Sequence, residues 1–203
     1  MPTSYPVEFE MDFVERRSRL TTFFRSLLAV PHMLFAAVYG LAFFGVYLVA
    51  WFALMFTGRW PAGLYEFAGG FVRYISRLTA YMYLGVDQYP PFNGAPDDTY
   101  PVRVHIAPPL ASYSRVKVFF RGWYAILAVV IRSALSTVVG LVALLSWFAI
   151  VFTGRQPAGL QNALNFCLSY TARADALIYL ITETYPTLGD TGAPAAPATQ
   201  PAV

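Results

Sequence analysis

The chain of 203 residues is 57% hydrophobic and only 12% charged, with a mean hydropathy of +0.50 and a net charge of +3. Soluble domains run at about 45–50% apolar and about 25% charged, so an ordinary water-soluble domain is set aside. The basic residues are scattered rather than gathered in one stripe, which sets aside nucleic acid as a partner, and the lone Cys167 allows no intrachain disulfide.

The first predicted element is a strand. Val7, Phe9, Met11 and Phe13 alternate with Glu8, Glu10 and Asp12, the period of an extended chain with one buried face. This acidic opening has neither the basic start nor the directly following apolar stretch of a secretory signal, so membrane targeting is expected from the first span itself. A basic collar follows (Arg16, Arg17, Arg19, Arg25). Residues 27–56 then contain no Asp, Glu, Lys or Arg. A run of ~18 or more such residues reads as a transmembrane helix.

That run stops at Thr57-Gly58-Arg59. Gly58 suits the left-handed position that ends a helix, and Pro61 suits the first turn of the next. The second helix, expected over residues 61–86, is amphipathic. Glu66, Arg73, Ser76 and Arg77 share one stripe; Leu64, Phe67, Phe71 and Ile75 share the other. It either crosses the bilayer with its polar stripe against protein or lies in the interface. Residues 87–99, rich in Pro, Gly and Asp, form an exposed linker.

The same order then recurs. Val102, Val104 and Ile106 alternate with Arg103 and His105, a basic face that favours pairing with the acidic first strand. A second collar (Arg115, Lys117, Arg121) precedes a second apolar run over residues 122–152, broken only by Arg132. The stretch from Trp147 repeats the stretch from Trp51 at an offset of 96, with eleven of fourteen positions identical, including Thr153-Gly154-Arg155 and Pro157. A second amphipathic helix is expected over residues 157–182. The chain is two copies of one unit: repeat 1 over 1–93, repeat 2 over 94–186, and a low-complexity, disordered tail over 187–203. The expected fold is mainly α, an integral membrane protein of two tandem helix-hairpin repeats, each preceded by a short β-strand.

Arginine-rich flanks belong on the cytoplasmic side. The sequence therefore favours four crossings, with the N-terminus, linker and C-terminus inside and both Thr-Gly-Arg turns outside. The likeness of the copies points the same way, to a common orientation. Arg73, Arg77 and Arg173 then lie at membrane depth. Acidic partners such as Glu66 and Asp87 are expected for Arg73 and Arg77. Arg132 either snorkels toward its collar or pairs with Glu66 or Asp175.

Thr-Gly-Arg-x-Pro, an Arg-rich amphipathic helix, and the closing Tyr-x-x-Leu-x-x-Asp-x-Tyr-Pro-Pro-Phe of residues 81–92 resemble a bacterial membrane family, domain of unknown function 4389. The resemblance covers nearly the whole chain as two copies. Copy 1 keeps the closing motif in full; copy 2 has Thr-Glu-Thr-Tyr-Pro-Thr over 182–187 and Ser169 in place of Arg73. The resemblance implies a membrane class and no mechanism.

No metal cluster, phosphate loop or nucleophile elbow is legible, so no cofactor and no catalytic residue is expected. His32 reads as a capping or interfacial group, or else as a catalytic one. The repeated turn is the leading site. Arg59 and Arg155, with Thr57 and Thr153 and the positive starts of the second helices, suit an anion such as a lipid phosphate; otherwise the arginines cap the preceding helices. A polar network of Glu66, Arg73, Arg77, Arg132, Arg173 and Asp175 is the second. The expected function is a non-enzymatic, lipid-binding accessory or scaffold subunit of the bacterial inner membrane, joined to itself or to a larger complex. The alternative is a small transporter or channel with a pathway between the repeats.

Overall fold

The computed structural model describes residues 5–190; most of the expected disordered tail lies outside the described residues. In chain order the elements are β1 (Val7–Met11), α1 (Arg19–Phe23), α2 (Arg25–Leu28), α3 (Val30–Thr57), α4 (Ala62–Met82), β2 (Val102–Ile106), α5 (Arg115–Phe119), α6 (Arg121–Thr153) and α7 (Ala158–Ile178). The molecule is mainly helical with one small sheet. The two long apolar helices, α3 and α6, have the length and composition of membrane spans.

Each collar begins as a short helix capped by serine. Ser18 Oγ accepts from the Thr21 N–H at 3.3 Å, and Ser114 Oγ from the Lys117 N–H at 3.5 Å. Both long helices end where the sequence says, at Gly58 (φ +70°) and Gly154 (φ +73°). The second helices stop four residues short of expectation. In each, a leucine takes the left-handed position (Leu84 φ +66°, Leu180 φ +65°). The following N–H closes the turn, from Gly85 to Ala80 O at 2.8 Å and from Ile181 to Ala176 O at 2.9 Å. This is Schellman geometry with leucine where glycine usually sits. Both leucines are buried, so packing offsets the ~1–2 kcal/mol cost of a left-handed residue.

The strands pair antiparallel, with Glu8 opposite His105 and Glu10 opposite Arg103. The acidic and basic faces meet as their charges predict. Arg103 lies 3.1 Å from Glu10 and 2.8 Å from Asp12, and its hydrogen bonds to Asp12 lead the causes that hold its pKa above the usual arginine value. Val7, Phe9, Met11, Val102 and Val104 point inward and are buried. Glu8, Glu10 and His105 point outward and are exposed.

The two copies exchange parts. β1 packs on α7 and β2 on α4; α1 packs on α6 and α5 on α3. At one end of the body the Phe23 and Trp147 rings lie 6.2 Å apart. At the other, Trp51 Nε1 donates to Val118 O at 3.1 Å. The start of α3 thus lies beside the end of α6, and the end of α3 beside α5. The long helices are antiparallel and the copies inverted.

This corrects the expected common orientation. The collars occupy opposite ends of the helical body, and each Thr-Gly-Arg turn docks on the other copy's collar segment. The Arg17 N–H donates to Gly154 O at 3.0 Å, and the Tyr113 N–H to Gly58 O at 2.8 Å. The physical cause is the path of β2. Arg77 reaches Val102 O, Arg73 reaches Val104 O, and Tyr65 reaches Ala107 O. The chain therefore runs back along α4 and starts its second copy from the far end.

Candidate functional site

The repeated turn is built alike in both copies. Thr57 Oγ1 donates to Ala53 O at 2.7 Å and accepts the Arg59 N–H at 3.2 Å. Thr153 Oγ1 does the same with Ala149 O at 2.6 Å and the Arg155 N–H at 3.2 Å. The threonine hydroxyl, not the guanidinium, closes each helix end, which corrects the reading of the arginines as caps. Arg59 is exposed and no carboxylate lies within ion-pair distance of it among the described residues. Arg155 faces Glu15 at 3.5 Å on the surface. A guanidinium left over from turn-making is available to an anion, more so at Arg59. Thr57→Val with Thr153→Val should cost about 1 kcal/mol per turn, the usual worth of such a hydrogen bond. Arg59→Gln should leave the melting temperature unchanged. Thermal unfolding in detergent checks both.

The six residues expected to form one polar network are divided among separate places. Arg77 is 1% exposed, donates Nε to Val102 O at 3.4 Å and stands 5.6 Å from the Tyr100 ring centre. Arg173 mirrors it, donating to Val7 O at 3.2 Å with its guanidinium 5.4 Å from the Tyr5 ring centre. Arg73 reaches Val104 O at 3.3 Å and Gly94 O at 3.5 Å. Neither Glu66 nor Asp87 forms an ion pair with Arg73 or Arg77 among the described residues; Glu66 acts on Arg73, and Asp97 on Arg77, only through space. Glu66 is exposed and Asp87 is taken by Arg25. Backbone carbonyls of the strands take the arginine donors instead, so these side chains rivet the sheet to the second helices.

Sequence reasoning gave the collar arginines only a topological role, yet some are buried anchors. Arg25 NH1 donates to Tyr81 O and Val86 O, both at 2.6 Å, and NH2 pairs with Asp87. Arg17 donates to Gly85 O at 2.8 Å. Burial lowers its pKa to about 10, opposed chiefly by Asp87, so it stays charged at neutral pH. The signal was present as Arg25 and Asp87 recurring as Arg121 and Glu183. Arg121, however, is 3% exposed and its three guanidinium nitrogens have no hydrogen-bond partner. Glu183 accepts the Ser114 N–H at 2.6 Å, as Asp87 accepts the Ser18 N–H at 2.8 Å, but without the arginine bond.

Of the two carboxylates suggested for Arg132, the structure selects Asp175. Arg132 Nε lies 2.7 Å from Asp175 Oδ1, at an angle outside hydrogen-bond geometry. Both residues are peculiar to copy 2; Ala36 and Thr79 occupy their places in copy 1.

Copy 1 has its own exclusive features. His32 is fully buried, its Nδ1 3.0 Å from Tyr74 Oη and its ring stacked 3.9 Å from that of Phe92. The closing Tyr-Pro-Pro-Phe motif thus folds over the histidine. Copy 2 loses both partners together, as Ala128 and Leu188. Beside it, a cleft of about 550 Å³ is lined by Tyr39, Tyr65, Glu66, Gly70, Arg73 and Gly94. A side chain on Gly94 would strike the backbone of Gly70, so these glycines let the linker lie directly on α4. Copy 2 carries Leu135, Gln161, Asn162, Phe166 and Ser169 where copy 1 has Tyr39, Tyr65, Glu66, Gly70 and Arg73. Cys167 is a buried free thiol, and no cluster of metal-ligating residues forms among the described residues.

A family model, domain of unknown function (DUF4389), matches residues 19–93 and again residues 115–188. No curated protein and no solved structure matches the chain.

Proposed function

The chain belongs to the DUF4389 family as two tandem copies, and from that premise we propose that it is a non-enzymatic membrane protein of the bacterial inner membrane. In this reading it is an accessory or scaffold subunit that packs with itself or a larger membrane complex and holds lipid, with both chain ends cytoplasmic. One observation carries the membrane part. Only 11% of the apolar window of the first long helix, and 22% of the second, is buried within the molecule. Leu34, Leu41, Phe44, Leu141 and Leu145 stand exposed among many others. Soluble monomers rarely expose contiguous apolar patches beyond a few hundred Å².

A transport pathway between the copies has less support. Ala68, Val72, Leu164, Leu168 and Ala172 are buried in one cluster shared by α4 and α7. The cleft between the copies beside Trp147, about 460 Å³, is lined mainly by apolar side chains such as Ala29, Met82, Leu84, Leu144 and Phe148.

The protein should stay in the membrane fraction through high-salt and alkaline carbonate washing. In mild detergent its native mass should show more than one chain, with anionic phospholipid bound. Release by carbonate would overturn the reading. Arg59→Gln with Arg155→Gln should reduce the co-purified anionic lipid without lowering stability. Unchanged lipid content would remove the repeated turn as its site.

A further inference from the structure

The sheet does not sit at one end of the helices; it runs beside them. Along α7, the Tyr5 hydroxyl reaches Thr184 O at 2.9 Å, Arg173 reaches Val7 O, and Gln161 reaches Asp12 O at 3.5 Å. Along α4, β2 makes the matching traverse in the opposite sense. Were the long helices upright in a bilayer, β1 and β2 would cross it with them. The exposed Glu8, Glu10 and His105, with the Arg103 ion pairs, would then lie at membrane depth. Charged groups there cost at least ~2.5–3.5 kcal/mol each, and open strand edges are not tolerated in hydrocarbon. Length argues the same way. The helical stretch Arg25–Thr57 has 33 residues, about 50 Å at 1.5 Å per residue, against a hydrocarbon core of ~30 Å.

We propose that the protein is seated in a single leaflet, with α3 and α6 lying in the plane of the membrane and the sheet and linker facing water. This rests on the membrane reading above and fixes its geometry. The exposed side chains of the long helices enter the acyl region. Ser136 and Thr137, exposed on α6, already donate their hydroxyls to Arg132 O at 2.9 Å and Ser133 O at 3.3 Å, so they add no unmet donor to that face. Exposed Arg16, Arg19 and Arg155 at one end, and Arg59, Arg115 and Lys117 at the other, form a cationic rim at headgroup level. Such a rim fits a leaflet containing anionic lipid. Aromatics mark the same level, with Phe23 and Phe24 at one end and Phe119, Phe120 and Trp123 at the other, all exposed. An upright molecule would put three of those six cations on each side of the membrane. The flat pose puts every collar on the cytoplasmic side although the copies are inverted.

The test uses the full chain with Cys167→Ser and one new cysteine at a time: Glu8→Cys and His105→Cys on the sheet, Gln88→Cys and Ala111→Cys at the two ends, Leu41→Cys and Leu141→Cys on the long helices. A membrane-impermeant maleimide is applied to spheroplasts and to inverted inner-membrane vesicles. The flat pose requires positions 8, 88, 105 and 111 all to label in inverted vesicles and none in spheroplasts. Labelling of 88 and 111 from opposite sides, with 8 and 105 protected, overturns it in favour of upright helices. Nitroxides at 41 and 141, in vesicles of zwitterionic and anionic phospholipid, should collide freely with oxygen and not with a water-soluble nickel chelate. Protection from both reagents would mean that a second copy covers this face, and would also overturn the pose. Carbonate release of the protein would instead defeat the membrane reading on which the pose rests.

Discussion

Replacing Arg25 with methionine is expected to destabilise the protein by about 3–5 kcal/mol, the cost of breaking a buried ion pair from one side. Its side chain is 5% exposed, paired with Asp87, and bonded to two carbonyls, one in the last turn of α4 and one just past it. Removing it leaves Asp87 with the Ser18 N–H but without its ion-pair partner, and Val86 O without its donor. Arg121→Met at the equivalent place should cost far less. That guanidinium forms no hydrogen bond, and Glu183 keeps its bond to the Ser114 N–H and its contact with Lys117. Thermal unfolding in detergent would show one variant falling steeply and the other near the parent. Equal losses would mean that the copies are energetically alike and that the broken symmetry at Arg121 is without consequence.

The second large effect is expected at the pair made only in copy 2. Arg132→Ala alone strands Asp175, 7% exposed, against α6 without a counter-ion, and should again cost about 3–5 kcal/mol. Asp175→Thr added to it should restore most of that loss. Copy 1 is the internal precedent, because Ala36 and Thr79 occupy the same two places in the same fold. A double-mutant cycle reads the coupling directly. A double variant as unstable as Arg132→Ala alone would show that the arginine stem and its packing, not the charge pair, hold α6 on α7.

Local chemistry made much of this legible beforehand. Gly58 and Gly154 end helices because the left-handed position suits glycine. Glu8 and Glu10 face His105 and Arg103 because opposite charges on a period-two pattern specify pairing and register. The recurrence of Trp51 to Leu64 gave the duplication, and the apolar runs gave the long helices. The ends of α4 and α7 were missed because leucine occupies the left-handed position, and nothing local distinguishes Leu84 or Leu180 from a helix interior. The partners of Arg77 were misassigned for a different reason. A carboxylate is visible in a sequence, whereas a carbonyl that becomes available only when a strand from the other copy docks is not.

The relative orientation of the copies is the largest matter that only the tertiary structure decided. Two near-identical segments carry the same local instructions whether they stand parallel or inverted. The choice rests on β2 running along α4, and on collar segments docking on the turns of the opposite copy. Those contacts join residues about 25 to 180 positions apart, as from Arg77 to Val102 and from Tyr5 to Thr184; no periodicity or composition reports contacts at that range. The sequence by itself determined the two units, the glycine ends of the long helices and their apolar faces. How the units face each other, and therefore which apolar side chains of the long helices stay exposed, follows from long-range packing alone.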